Sequence, residues 1–125
     1  MEISKYTAEH EEAVLSAIKE DPNWDMFTNS DAIEVYKDRL KNGVTYVCHV
    51  NNNFCGYVRA LLDDGFAVYI SELFVVPAYR NQKIGRSLLE QIKNDFSTLS
   101  VYVLSDEDFY YEKIGKKQVG SVFEL

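Results

Sequence analysis

The stretch from Leu73 to Leu89 (LFVVPAYRNQKIGRSLL) constrains this chain more than any other segment. The apolar run Leu73 to Val76 reads as a strand. Pro77 ends it in a loop, and the loop opens a helix. The first turn of a helix leaves backbone N–H groups unpaired, and the helix dipole adds partial positive charge there. Arg80, Lys83 and Arg86 put three cations at that point, although the formal net charge of the chain is -7. Anions bind where backbone donors and positive charge converge, so the segment implies a phosphorylated ligand. A strand feeding a helix in this way also implies a strand–helix–strand unit within a sheet.

At 125 residues the chain reads as one domain, 1–125. A chain of this size buries roughly two thirds of its unfolded surface, enough for a core without staples. No stretch approaches the roughly 20 apolar residues of a membrane span. Met1 to Lys5 carries no basic-then-apolar leader. A cytoplasmic location with reduced thiols is therefore expected, and Cys48 and Cys55, which flank a predicted hairpin turn, are read as buried packing residues. A sequence pI near 4.8 argues against nucleic acid as a partner, because that binding rests on phosphate neutralisation. The acidity suits a cationic partner and equally a merely soluble surface. His10 and His49 stand alone, without metal-ligand spacing, so no metal is expected.

The predicted order is β-α-α-β-β-β-α-β-α-β, an α/β chain with a mixed sheet. A short strand covers Met1 to Tyr6, and Thr7 caps a helix from Ala8 to Lys19. Pro22 breaks it, and Trp24 and Phe27 lie in the following loop. Ser30 or Asn29 caps a second helix that stops at Asn42-Gly43. Val44 to Val50 and Phe54 to Leu62 form a hairpin around Asn51 to Asn53. Ala67 to Val76 is the fourth and central strand, and Ile84 to Phe96 the third helix. Leu99 to Leu104 is a buried fifth strand parallel to the fourth. Ser105-x-x-Asp108 starts a short helix ending at Gly115, and Gln118 to Leu125 is a last strand.

The loop resembles the acetyl-CoA signature of the GNAT superfamily of N-acetyltransferases, R/Q-x-x-G-x-G/A. Arg80 takes its first position and Gly85 its second glycine, while Lys83 stands where the first glycine is expected. Tyr110-Tyr111-Glu112-Lys113-Ile114-Gly115 is similar to the family's F-Y-x-K-x-G segment, and the element order extends the resemblance over nearly the whole chain. The resemblance implies a sheet splayed between strands four and five, and acetyl-CoA as donor. Gln82, Lys83, Ile84, Gly85, Arg86 and Ser87 would cradle its pyrophosphate, with Arg80 adding charge. Leu73 and Val75 would pair with its pantetheine arm, Val75 also polarising the thioester.

Tyr111, at the tyrosine position, would protonate the departing thiolate. Glu72 is the candidate base, or else half of an ion pair with Arg59 on the neighbouring strand. The acceptor is expected to be a primary amine, cationic if Asp21, Asp25, Asp63, Asp64 and Glu72 rim the site. Relatives usually carry a seventh strand. This chain reads as stopping after the sixth, which opens the site unless a homodimer closes it. The competing reading is a GNAT-like domain that binds acyl-CoA without turnover.

Overall fold

Asn51 and Asn52 adopt left-handed φ angles of 50° and 65° in the computed structural model, which describes residues 1–125. A tight turn with the twist of paired strands requires that conformation, and asparagine tolerates it better than most residues. The turn joins β2 (Val44–Val50) to β3 (Asn53–Asp63). β1 (Glu2–Lys5) pairs with β2, and β4 (Ala67–Val75) pairs with β3, all antiparallel. β5 (Ser100–Val103) lies parallel to β4. The order is β1-β2-β3-β4-β5, so β3, not β4, is the central strand.

Both faces of the sheet are covered, which is why β2 and β3 read as apolar runs rather than alternating ones. On one face α4 (Ile84–Asp95) packs Ile84, Leu88 and Ile92 against Tyr46, Val58, Val68 and Ile70. Alongside it, α5 (Asp108–Lys113) brings Tyr110 and Tyr111 onto the same cluster. On the other face, α1 (Glu11–Lys19), the single turn α2 (Asp25–Thr28) and α3 (Ile33–Asn42) bury Val14, Ile18 and Leu40 against Val47, Tyr57 and Phe74. Trp24 and Phe27 belong to this packing: Trp24 meets Phe74 edge-on at 5.2 Å, and Phe27 stacks on Tyr36 at 4.6 Å. No helix is long and apolar enough to cross a membrane.

Local chemistry departs from expectation at several ends. The first helix opens with a 3-10 turn, Ala8–His10, in which the Thr7 N–H donates to His10 Nδ1 at 2.9 Å. Asn29, rather than Ser30, closes the turn before α3, accepting from the Asp31 and Ala32 N–H groups. Ser105 accepts from the Glu107 N–H and shapes the turn ahead of α5 without capping it. Gly115, at φ 81°, ends α5, and the Lys116 N–H returns to the Tyr111 carbonyl. β5 is a half-exposed edge strand, not a buried one. The expected strand at 118–125 does not form, because no backbone ladder is within its reach.

Cys48 and Cys55 are buried free thiols, and Cys55 donates to the Cys48 carbonyl at 3.2 Å. Burial, aided by Cys48, pushes the Cys55 thiol up to about 12. Burial and a hydrogen bond to Asp95 push the Tyr46 phenol to about 12 as well. Folding thus favours both protonated forms. Their contribution is complete below the unfolded values of 9.0 and 10.0 and is lost as pH rises toward the folded ones. Urea midpoints should hold level to about pH 9 and fall above it; a level profile to about pH 11 would contradict this.

Candidate functional site

A single extra residue opens the sheet. Arg59 pairs with Glu72 and Ala60 with Ile70, so Ser71 is unmatched on β4, a bulge that bends the strand. β4 pairs with β5 only from Ala67 to Ile70, and the Leu104 N–H to Ile70 carbonyl bond is the last link. Beyond it the strands part, as the splay expected between strands four and five requires. The Val76 N–H donates to Cys55 on β3. By the alternation of an extended strand, the N–H groups of Leu73 and Val75 then face the gap.

The basic loop lies at the same end. Asn81 and Lys83 both take left-handed φ, 65° and 66°, so Lys83 holds the conformation of the glycine it stands in for. The N–H groups of Gln82, Lys83, Ile84, Gly85 and Arg86 find no acceptor within the protein, whereas both the N–H and the hydroxyl of Ser87 donate to the Lys83 carbonyl. Ser87 therefore fixes the loop instead of offering a donor, a correction to its expected role. Ile84 offers only its backbone, since its side chain is core. Gln82 reaches back to the Ala78 carbonyl at 3.4 Å. Arg80 donates from Nε to the Val75 carbonyl at 2.9 Å and lies over the Phe74 ring, while Arg86 pairs with Glu90 one turn on at 3.5 Å. Five consecutive free donors beside three cations make a cradle for a phosphate group, next to an unpaired strand edge that can hold an extended ligand.

Gly85 serves a purpose that its place in the motif does not reveal. A Cβ there would lie 2.8 Å from the Tyr110 hydroxyl and 3.5 Å from Leu73. Its missing side chain thus seats Tyr110, and α5 closes directly over the start of α4. Tyr111 meets the Tyr110 ring edge-on at 5.1 Å and lines a groove beside Ile70, Leu104 and Arg86. Burial, then Tyr110 and Asp106, raise the Tyr111 phenol above its usual range, so it is protonated at neutral pH.

Glu72 is the partner of Arg59. Nε and a terminal nitrogen of the guanidinium donate to the two carboxylate oxygens at 2.6 and 2.8 Å. Tyr36 Oη donates to the same carboxylate at 2.6 Å and is itself 2.6 Å from Tyr57 Oη. With both oxygens engaged and 4% of its side chain exposed, Glu72 anchors a buried network and is not a free base. Tyr36 is the residue that sequence reasoning missed, since nothing local links a tyrosine on α3 to β4.

Asp21 and Asp25 flank Trp24, which packs on Phe74 near the unpaired edge of β4. Asp63 and Asp64 lie before β4 and Val75 at its end, roughly 30 Å apart for an extended strand. They cannot rim the same cleft, which halves the expected acidic rim. No group of three metal-binding side chains occurs.

The acetyltransferase (GNAT) domain family model matches residues 41–115. An aminoglycoside 6′-N-acetyltransferase complexed with coenzyme A has a similar structure (TM-score 0.78, 14% identity, 96% of this chain and 87% of that one). So do a GNAT-family acetyltransferase of Streptococcus pneumoniae TIGR4 (0.72, 19%, 99% and 96%) and the PaiA N-acetyltransferase of Thermoplasma acidophilum in complex with coenzyme A (0.70, 14%, 90% and 87%). No curated protein sequence matches.

Two stability experiments follow from this geometry. Arg59→Met should cost about 3–5 kcal/mol in urea denaturation by leaving Glu72 buried and unpaired, and Arg59→Met/Glu72→Leu should recover most of it. A loss below about 1 kcal/mol would mean the network is not an anchor. At position 83, Lys83→Gly should be more stable than Lys83→Ala by about 1 kcal/mol, because only glycine enters left-handed φ without strain. The opposite order would place Lys83 outside that conformation.

Proposed function

From its membership of the GNAT acetyltransferase family, which makes the chain an acetyl-CoA-dependent acetyltransferase acting on amines, we propose that its acceptor is a cationic primary amine. We propose further that acetyl transfer is direct, within one complex of donor and acceptor. The observation that carries the site assignment is the row of free N–H groups from Gln82 to Arg86, at the same end as the unpaired edge of β4. Those donors, with Arg80, Lys83 and Arg86, suit the pyrophosphate of CoA. The N–H groups of Leu73 and Val75 suit its pantetheine arm, and that of Val75 the thioester oxygen as charge builds on it.

In this reading the amine nitrogen bonds to the acetyl carbon as the carbon–sulfur bond breaks, and the sulfur receives a proton from Tyr111. Its burial favours that role by keeping the phenol protonated. Glu72 acts by position: with Arg59 and Tyr36 it stiffens β4 beside the bulge, while the ammonium loses its proton to water. Asp21 and Asp25, at the same end of β4, support a cationic acceptor. Buried reduced thiols and an acidic surface suit the cytoplasm.

The test is thiol release from acetyl-CoA with a panel of amines at two salt concentrations. KM for polycationic acceptors should rise with salt as charge is screened, over about 8 Å at physiological ionic strength. A preference for neutral or anionic amines without salt dependence would rule the cationic reading out. Tyr111→Phe should lower kcat by about 10² or more with acetyl-CoA affinity by calorimetry nearly unchanged, and Tyr110→Phe should be mild. An unaltered kcat in Tyr111→Phe would remove that residue from the reaction.

A further inference from the structure

The edge of the sheet has room for one more strand. β5 bonds to β4 on one side, and on its other side no backbone group of Ser100–Val103 has a partner. Across a groove of about 910 Å³ from that edge runs the segment 116–122. The groove is lined by Tyr102 from one face of β5 and by Val101 and Val103 from the other. It therefore follows the strand's edge and does not lie over a face of the sheet. Beyond Lys116 no backbone group meets another backbone group, and Val119, Val122 and Phe123 are 68%, 75% and 83% exposed. These are β-forming residues with neither a ladder nor a core. Tyr69 and Tyr102, stacked at 5.6 Å and partly exposed, lie at the same groove.

One chain thus offers both an empty place and an unpaired segment to fill it, the condition for a reciprocal two-fold exchange. We propose that the chain forms a homodimer in which segment 118–125 of each copy enters the groove of the other. Each segment pairs with β5 of its partner on one side and with the partner's 118–125 on the other. The sheet then runs unbroken through both copies, from one β5 across two exchanged segments to the second β5. This arrangement leaves neither β5 nor either segment with a free edge. A foreign peptide in the groove would leave the outer edge of 118–125 bare, and such edges template unwanted association. The groove is also lined by Arg86 and Tyr111, so each incoming segment closes the flank of its partner's site. The proposal does not depend on which acceptor the enzyme uses.

Light scattering after size exclusion should give twice the 14.4 kDa chain mass at roughly 100 µM, where any dimer with a micromolar Kd is populated. Val122→Pro, which removes a ladder N–H, should raise the dimer Kd by about 10-fold or more while leaving acetyl-CoA binding by calorimetry in place. Single cysteines at Val119, Ser121 or Phe123 give a second readout. Each is near its symmetry mate only in the exchanged form, so at least one should yield a covalent dimer on a non-reducing gel. A monomer at that concentration overturns the proposal. So does a dimer that Val122→Pro leaves unweakened and no cysteine traps, which would place the interface elsewhere. A monomer in which an added polypeptide protects the β5 amides from hydrogen exchange would assign the groove to another chain, and equally overturns it.

Discussion

One unmatched residue, Ser71, decides which way the functional half of β4 faces. Val68 and Ile70 point toward α4, and strict alternation would send Glu72 and Phe74 the same way. Because of the bulge, Phe74 instead joins the cluster under α1 and α3, and Glu72 meets Tyr36 of α3. Leu73 and Val75 take the α4 side. The same insertion bends β4 away from β5 and frees an edge. The gap, the buried ion pair and the aromatic floor under Trp24 are therefore consequences of one local irregularity. The Arg59–Glu72 pair sits directly beside the bulge, where a charged network with three donors to one carboxylate penalises slippage more than apolar contacts would.

Much of this was legible because it rests on local chemistry. The Asn51–Asn52 turn, the stop at Gly43, the helix opening at Ile84 and the Gly115 terminus each depend on residues within a few positions. The Arg59–Glu72 pair was readable as an alternative because hairpin register sets neighbours on adjacent strands. What could not be read depends on distant partners. Tyr36 reaches Glu72 from another element, and Tyr110 occupies the space above Gly85 from a helix two elements later. The parity change at Ser71 is invisible in a strand that alternates plausibly either way. Gln118 to Leu125 has the composition of a strand, yet composition supplies no ladder, and the segment stays unpaired within its own copy.

The electrostatic design is local against a contrary background. A protein of net charge -7 repels a polyanionic donor at long range. Recognition at the α4 start therefore works over short distances, through oriented N–H groups that salt screens little and through three cations within one loop. Lys83 illustrates the trade. A glycine would take the left-handed conformation without strain, whereas lysine accepts the strain and adds an ammonium at the cradle.

The seat of the Tyr110 hydroxyl over Gly85 makes two segments move as one. At six residues, α5 is far too short to persist alone, and it takes its order from what it rests on. Its foothold is the first turn of α4, the turn that carries the free N–H groups. A ligand that stiffens that turn would therefore quiet the thermal motion of α5 as well, and loosening α5 would blur the cradle. Order would pass between donor end and tyrosine end through one ångström-scale contact, without any change of mean shape.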